Sequence, residues 1–202
     1  AGLMPTRTQT IGYGSAPIKQ ESVEWCLNIV RSGQSLFIDL SHWTDLYPKE
    51  LDTFVLAFIR GLYELRRKDP RFTLLLVEET TVYAPQMQAS GQADNVRVFI
   101  AVATGGRKYG LQCLFTTQRQ SMVDSNVISS CNVRIFLRTS EFADWKRIHK
   151  YIPDSLGITF NESGQSAIRK FSSGEAVVTS RWTTEARVQL VMPEVQLLKA
   201  QL

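Results

Sequence analysis

The sequence predicts an α/β fold: a largely parallel sheet with helices on both faces and an antiparallel hairpin at its C-terminal end. Three observations carry this. Strand-length apolar runs alternate with helix-length amphipathic stretches through most of the chain, as in successive βα units. Leu74 to Val77 is apolar without polar alternation, which suits a strand covered on both faces. From Ile158 onward the pattern changes to two short strands, Gly174 to Arg181 and Ala186 to Met192, separated by Trp182 to Glu185.

Met4 to Pro17 is rich in Thr, Gly, Ser and Pro and has no period, so residues 1–17 read as a flexible start. Met4 is the expected true start, with Ala1 to Leu3 a remnant of cloning. Residues 18–202 then form one domain. Lys19 to Arg31 sets Val23, Leu27 and Val30 on one helical face, and Ser32-Gly33 closes that helix. Ser35 to Leu40 reads as an apolar strand ending at Asp39. Lys49 to Lys68 is a long helix in which Leu51, Phe54, Val55, Phe58, Ile59 and Leu62 recur at three and four. Its last residues, Arg66, Arg67 and Lys68, suit the helix dipole and read as a solvated basic end, with contact to a nucleic acid as the alternative; Asp69-Pro70 stops it.

The strand ending in Glu78-Glu79 follows. Next come a polar loop from Gln86 to Gln92 and a helix from Asp94 to Arg107. The turn Gly105-Gly106-Arg107-Lys108-Tyr109-Gly110 is glycine-rich and reads as tight and exposed. Leu111 to Phe115 is a strand ending at Thr116-Thr117-Gln118-Arg119, and Asp124 opens a short helix to Ser130. Asn132 to Leu137 is a strand ending at Arg138, and Phe142 to Tyr151 a helix. Pro193 to Leu202 reads as a terminal helical segment.

Composition narrows the function classes. Apolar residues are 44% and charged residues 21%, ordinary for a globular domain. No stretch approaches the length of a membrane span and no secretory signal is visible, so a membrane partner is not expected. The net charge of +4 favours a polyanionic partner only mildly. The three cysteines, Cys26, Cys113 and Cys131, stand far apart in apolar settings and read as thiols in a reducing, cytoplasmic compartment. His42 and His149, the only histidines, have no cysteine pair near them, so no zinc pattern forms.

The chemistry concentrates at strand ends. Asp39, Glu78-Glu79 and Gln118 each follow a predicted parallel strand, so they should converge on the edge of the sheet where α/β proteins bind ligands. An apolar strand closing on two carboxylates is the Walker B arrangement of P-loop nucleotide hydrolases. One carboxylate there serves Mg²⁺ and the next polarises the attacking water.

The order of these segments resembles HerA-type ATPases, the relatives of the FtsK DNA translocase. The resemblance rests on Ser35-Leu-Phe-Ile-Asp-Leu-Ser41, the helix ending Leu62-Tyr-Glu-Leu-Arg-Arg67, and Leu75-Leu-Val-Glu-Glu79 with Ala84-Pro85. It continues through Gly106-Arg-Lys-Tyr-Gly-Leu111, Thr117-Gln-Arg-Gln120, Val127-Ile-Ser-Ser-Cys-Asn132 and Ser173-Gly-Glu-Ala-Val-Val178, spanning Gly33 to Pro193. It implies a RecA-like P-loop core that binds ATP and Mg²⁺. Glu78 would be the nucleotide-binding and metal-associated residue, meeting Mg²⁺ directly or through water, and Glu79 the catalytic one. Gln118 would sense the γ-phosphate and the attacking water. Arg107 would be an arginine finger reaching a neighbouring subunit's nucleotide, and Arg138 a second phosphate or interface residue. The implied partners are DNA, further copies in a hexameric ring, and a nuclease of the NurA type.

Two departures stand out. Thr80 and Thr81 follow the acid pair where the family usually has Ala-His. The 202 residues contain no Gly-x-x-x-x-Gly-Lys-Ser/Thr loop, and Gly12-Tyr-Gly14-Ser carries no lysine. The chain therefore resembles the C-terminal half of such an ATPase core, with the phosphate loop expected upstream. The alternative is a catalytically silent structural or interaction module that keeps the fold and binds no nucleotide.

Overall fold

The computed structural model describes residues 20–41, 48–87, 92–152, 158, 161, 167–180 and 186–189. The expected flexible start and the terminal segment Pro193 to Leu202 lie outside them. The chain divides into two compact units, Ala1–Ser130 and Cys131–Leu202.

In the first unit, α1 (Gln20–Arg31) and α2 (Pro48–Lys68) precede β1 (Thr73–Val77). After β1 come α3 (Thr80–Tyr83), α4 (Gln92–Gly105), a 3₁₀ turn at Gly106–Tyr109, β2 (Leu111–Phe115), a second 3₁₀ turn at Gln120–Met122, and α5 (Ser125–Ser130). β1 and β2 are parallel, from Thr73 opposite Leu111 to Val77 opposite Phe115. The predicted face of α2 is the buried one: Leu51, Phe54, Val55, Phe58, Ile59 and Leu62 all lie in the core. α4 adds Val96, Phe99 and Val102, and Phe99 meets Phe115 of β2 edge to face, 6.0 Å between ring centres. Asp124 caps α5, its carboxylate accepting from the Asn126 amide at 2.8 Å.

Arg66 departs from the solvated helix end the sequence suggested. It is only 3% exposed. Its Nε donates to Thr73 Oγ1 at 2.6 Å and its Nη2 to the Val30 carbonyl at 3.2 Å. The guanidinium thereby fastens the end of α2 to α1 and to the first residue of β1, and its removal from water lowers its pKa.

The second unit contains β3 (Val133–Phe136), α6 (Phe142–Ile148), a 3₁₀ turn at His149–Tyr151, β4 (Glu175–Ser180) and β5 (Ala186–Gln189). The three strands form an antiparallel sheet in the order β3-β4-β5. Phe136, Trp145, Ile148, Ile168, Phe171 and Val177 make its core. The guanidinium of Arg134 lies over the Tyr151 ring at 4.4 Å.

Three further expectations change. The sheet is not largely parallel: among the described residues β1–β2 is the one parallel pair, and the predicted hairpin continues onto β3 in antiparallel fashion. Among the described residues of its own unit β1 is covered on one face, since Leu74 is 54% and Leu76 58% exposed while Leu75 and Val77 pack inward. Helices therefore cover one face of this pair. Finally, residues 34–40 carry no strand pairing, although Leu36, Ile38 and Leu40 pack against the core and Phe37 and Asp39 are exposed. The alternation of a strand is present, but a cleft separates the segment from β1.

Candidate functional site

The acid pair sits where β1 turns into α3, and the backbone there is unusual. Glu79 has φ 48° and ψ 57°, the one non-glycine residue in the left-handed region among the described residues. A side chain in that region strains the chain by about 1–3 kcal/mol and persists only where surrounding bonds fix it. Those bonds are visible. The Thr116 amide donates to the Val77 carbonyl at 3.0 Å, and the Thr80 amide to the Thr116 carbonyl at 2.9 Å. Thr80 Oγ1 donates to the same carbonyl at 3.0 Å, and the Val82 amide to the Glu79 carbonyl at 2.9 Å. The chain must pass from strand to helix within two residues, Glu78 and Glu79, while Thr80 stays locked to the end of β2. Glu79 absorbs that turn.

The same bonds join the two strand ends. Thr116 leaves β2 bonded to Val77 and Thr80, the residues flanking Glu78 and Glu79, and Gln118 follows two residues on. Past them, the Asp124 amide donates to the Ala84 carbonyl at 2.9 Å and the Gln86 amide to the Met122 carbonyl at 2.6 Å. Glu78 and Gln118 are exposed and Glu79 is half-buried. This edge is therefore a solvent-facing shelf of two carboxylates and an amide, carried on two hydrogen-bonded loops.

Asp39 reaches the shelf from the other side of a cleft of about 1050 Å³. Residues 34–41, β1 and the inner face of α2 line it, and Asp39, Glu78 and Glu79 stand together along it. Ser41 donates to Asp39 Oδ1 from its hydroxyl at 2.7 Å and its amide at 2.9 Å. These two bonds favour the ionised carboxyl and lower its pKa. Tyr83 reports on the cluster: its pKa is raised first by burial, then by the negative charges of Asp39 and Glu78. One phenol thus feels both carboxylates. Sequence reasoning passed over Tyr83, although it stands one helical turn after Glu79.

The described residues contain no group of three or more His, Cys, Asp or Glu able to cage a metal. Mg²⁺ seldom uses such a cage, being held by one or two carboxylates with water and substrate phosphates. Exposed Glu78 with Asp39 nearby fits that mode.

The other two candidates lie elsewhere. Arg107 is exposed in the 3₁₀ turn before β2. It stands at the N-terminal edge of the parallel pair, with the five residues of β2 between it and the shelf, roughly 17 Å of strand. The turn is built on its glycines. Gly110 has φ 80°, and a Cβ there would lie 2.6 Å from the Arg71 carbonyl oxygen; one on buried Gly106 would lie 2.8 Å from that of Leu111. Arg138 follows β3 in the second unit and is exposed.

No family model matches this chain. Over 65 residues it is 34% identical to the DNA double-strand break repair helicase HerA of Pyrococcus furiosus. That match takes in 32% of this chain and 11% of the relative, so the chain spans only a small part of HerA. Among solved structures, it is similar to the genome packaging NTPase B204 of Sulfolobus turreted icosahedral virus 2. The complex of B204 with AMPPCP aligns over 83% of this chain and 72% of that one, with TM-score 0.57 and 15% identity. The complex with ATP-γS aligns over 82% and 72%, with TM-score 0.58 and 16% identity. A structure of B204 described as the DNA-packaging ATPase of Sulfolobus turreted icosahedral virus covers 89% and 75%, with TM-score 0.53 and 14% identity. At such identities the likeness is one of fold. The chain has a mixed α/β fold like that of a P-loop packaging ATPase, and part of its sequence resembles HerA.

Proposed function

We propose that this chain supplies the hydrolytic edge of an ATP-driven, ring-forming DNA translocase of the HerA type. The observation that carries the reading is the strained Glu79, held beside Glu78 and the Thr116–Gln118 strand end. Maintaining a charged residue in the left-handed region costs stability, and such strain gathers at functional sites.

Each residue then has a task. Glu78 holds Mg²⁺, directly or through water, and the metal would neutralise charge on the nucleotide phosphates. Glu79 polarises the attacking water, and Gln118 orients that water and reads the γ-phosphate. Arg107 cannot serve the shelf of its own unit across the length of β2. As an arginine finger it would act on the nucleotide of a neighbouring copy, where a guanidinium's planar fork suits phosphate oxygens. Arg138 is a second phosphate or interface contact. The ring is a hexamer, DNA its substrate, and a NurA-type nuclease its partner.

Mixing tests the arrangement. In the full gene product, Arg107→Ala and Glu79→Gln should each lose most hydrolysis, on the order of 10³-fold or more for the arginine. Co-assembled, the two should regain activity, because some interfaces would pair an intact arginine with an intact glutamate. Mixed rings that assemble but stay inactive would refute the trans assignment. A second reading, a silent module with this fold, draws on the absence of a Gly-x-x-x-x-Gly-Lys-Ser/Thr loop from the 202 residues. It predicts no nucleotide binding by the gene product at millimolar Mg·ATP.

A further inference from the structure

The structure gathers cations from three separate places in the sequence. Arg67 and Lys68 end α2, Arg71 opens the approach to β1, and Arg107 and Lys108 stand in the 3₁₀ turn before β2. All are exposed. Two contacts bring them together. Tyr109 packs edge to face on Tyr63 of α2, 5.7 Å between ring centres, and its hydroxyl meets both Arg67 and Lys108. Gly110 lies against the Arg71 backbone. The acids on these segments are Glu64, paired with Arg67 at 2.9 Å, and Asp69, paired with Arg71 at 3.0 Å. Cations outnumber them.

A helix C-terminus accounts for Arg67 and Lys68, which offset its dipole. It does not account for Arg71 and Lys108, which come from other segments and add like charge within about a Debye length. Convergence of this kind opposes folding and signals a polyanion. Tyr109 lets it persist: the Lys108 ammonium lies 5.1 Å from the centre of its ring, and the ring stands between cations that would otherwise repel.

We propose that Arg67, Lys68, Arg71 and Lys108 form a surface for the phosphate backbone of duplex DNA, at the N-terminal edge of the β1–β2 pair and opposite the carboxylate shelf. This rests on the reading above that DNA is the substrate, and it adds where on this chain the DNA lies. Contacts with phosphates carry no base information, so binding here is independent of sequence.

The experiment is fluorescence anisotropy of a labelled 30-base-pair duplex titrated with the protein between 50 and 300 mM salt. Each phosphate contact contributes about 0.9 to the slope of log K against log salt. Lys68→Gln, Arg71→Gln and Lys108→Gln should each flatten the slope by about that much, and the triple variant by roughly 2 to 3. Lys49→Gln, at the far end of α2 and roughly 29 Å from Lys68, should leave it unchanged. Retained thermal transitions establish that the variants fold. If the protein binds duplex DNA and the triple variant keeps the wild-type slope, this surface is wrong while the DNA reading stands. If the wild type binds no duplex at 50 mM salt, both fall. Tighter binding of polyglutamate than of DNA at equal charge would assign the patch to an acidic protein and overturn the proposal.

Discussion

Replacing Glu79 by glycine should make the protein more stable. The left-handed conformation costs a residue with a Cβ about 1–2 kcal/mol. Glycine escapes that cost but loses more freedom on folding, about 0.5–1 kcal/mol. The difference leaves glycine ahead by about 0.5–1 kcal/mol, or roughly 1–4 °C in a chain of this length. Glu79→Ala is the needed comparison, since alanine also removes the carboxylate but keeps the strained backbone. Thermal unfolding followed by circular dichroism should rank Gly above Ala, with Glu79→Val below both because its branched side chain tolerates φ 48° least. A glycine variant no more stable than the alanine variant would refute the claim that the Val77–Thr116–Thr80 bonds impose strain on Glu79. If the strain serves catalysis, stability should rise as hydrolysis by the gene product disappears. A carboxylate replaced far from the shelf would not join those two effects.

The remaining expectations follow from the same geometry. Gln118→Ala should slow hydrolysis less than Glu79→Gln, since it removes positioning and leaves the charge; steady-state phosphate release by the gene product measures both. Gly110→Ala should lower the melting temperature by several degrees, because a Cβ must enter the left-handed region 2.6 Å from the Arg71 carbonyl oxygen; an unchanged transition would contradict that close approach. Burial pushes the Cys26 thiol up to about 11 from the usual 9.0. A raised thiol pKa means less thiolate at any pH below it, so at pH 8 the reactive form falls roughly a hundredfold. Cys26 should therefore resist iodoacetamide in the folded protein and react on denaturation, and mass spectrometry of tryptic peptides shows which.

Much of the local structure was legible in the chain. The three-and-four recurrence from Leu51 to Leu62 fixed the buried face of α2, because helical periodicity depends only on neighbours in sequence. Asp124 announced α5 and the glycines announced the turn before β2 for the same reason. That Glu78, Glu79 and Gln118 would follow strand ends on one edge came from their places after consecutive strands, and the parallel register of β1 and β2 puts both strand ends at that edge. Their chemical roles are those that the resemblance implies.

Tertiary structure decided what depends on which segments lie side by side. The apolar run Leu74 to Val77 could not disclose that one face of β1 is exposed, since a continuous run only permits double coverage. Nor could it place Glu79 in the left-handed region, because a conformation forced by hydrogen bonds to Thr116, far along the chain, leaves no mark in a glutamate's own sequence. The run Arg66-Arg67-Lys68 looked uniform. The fold buries the first beside Val30 and Thr73, and leaves the other two exposed in the patch with Arg71 and Lys108. Periodicity is a property of neighbours along the chain and is written there, whereas the partner of a charge is set by packing between distant segments. So the sequence by itself determined the helices, the turns and the order of polar strand ends, and only the packed chain determined the strain on Glu79 and the company each arginine keeps.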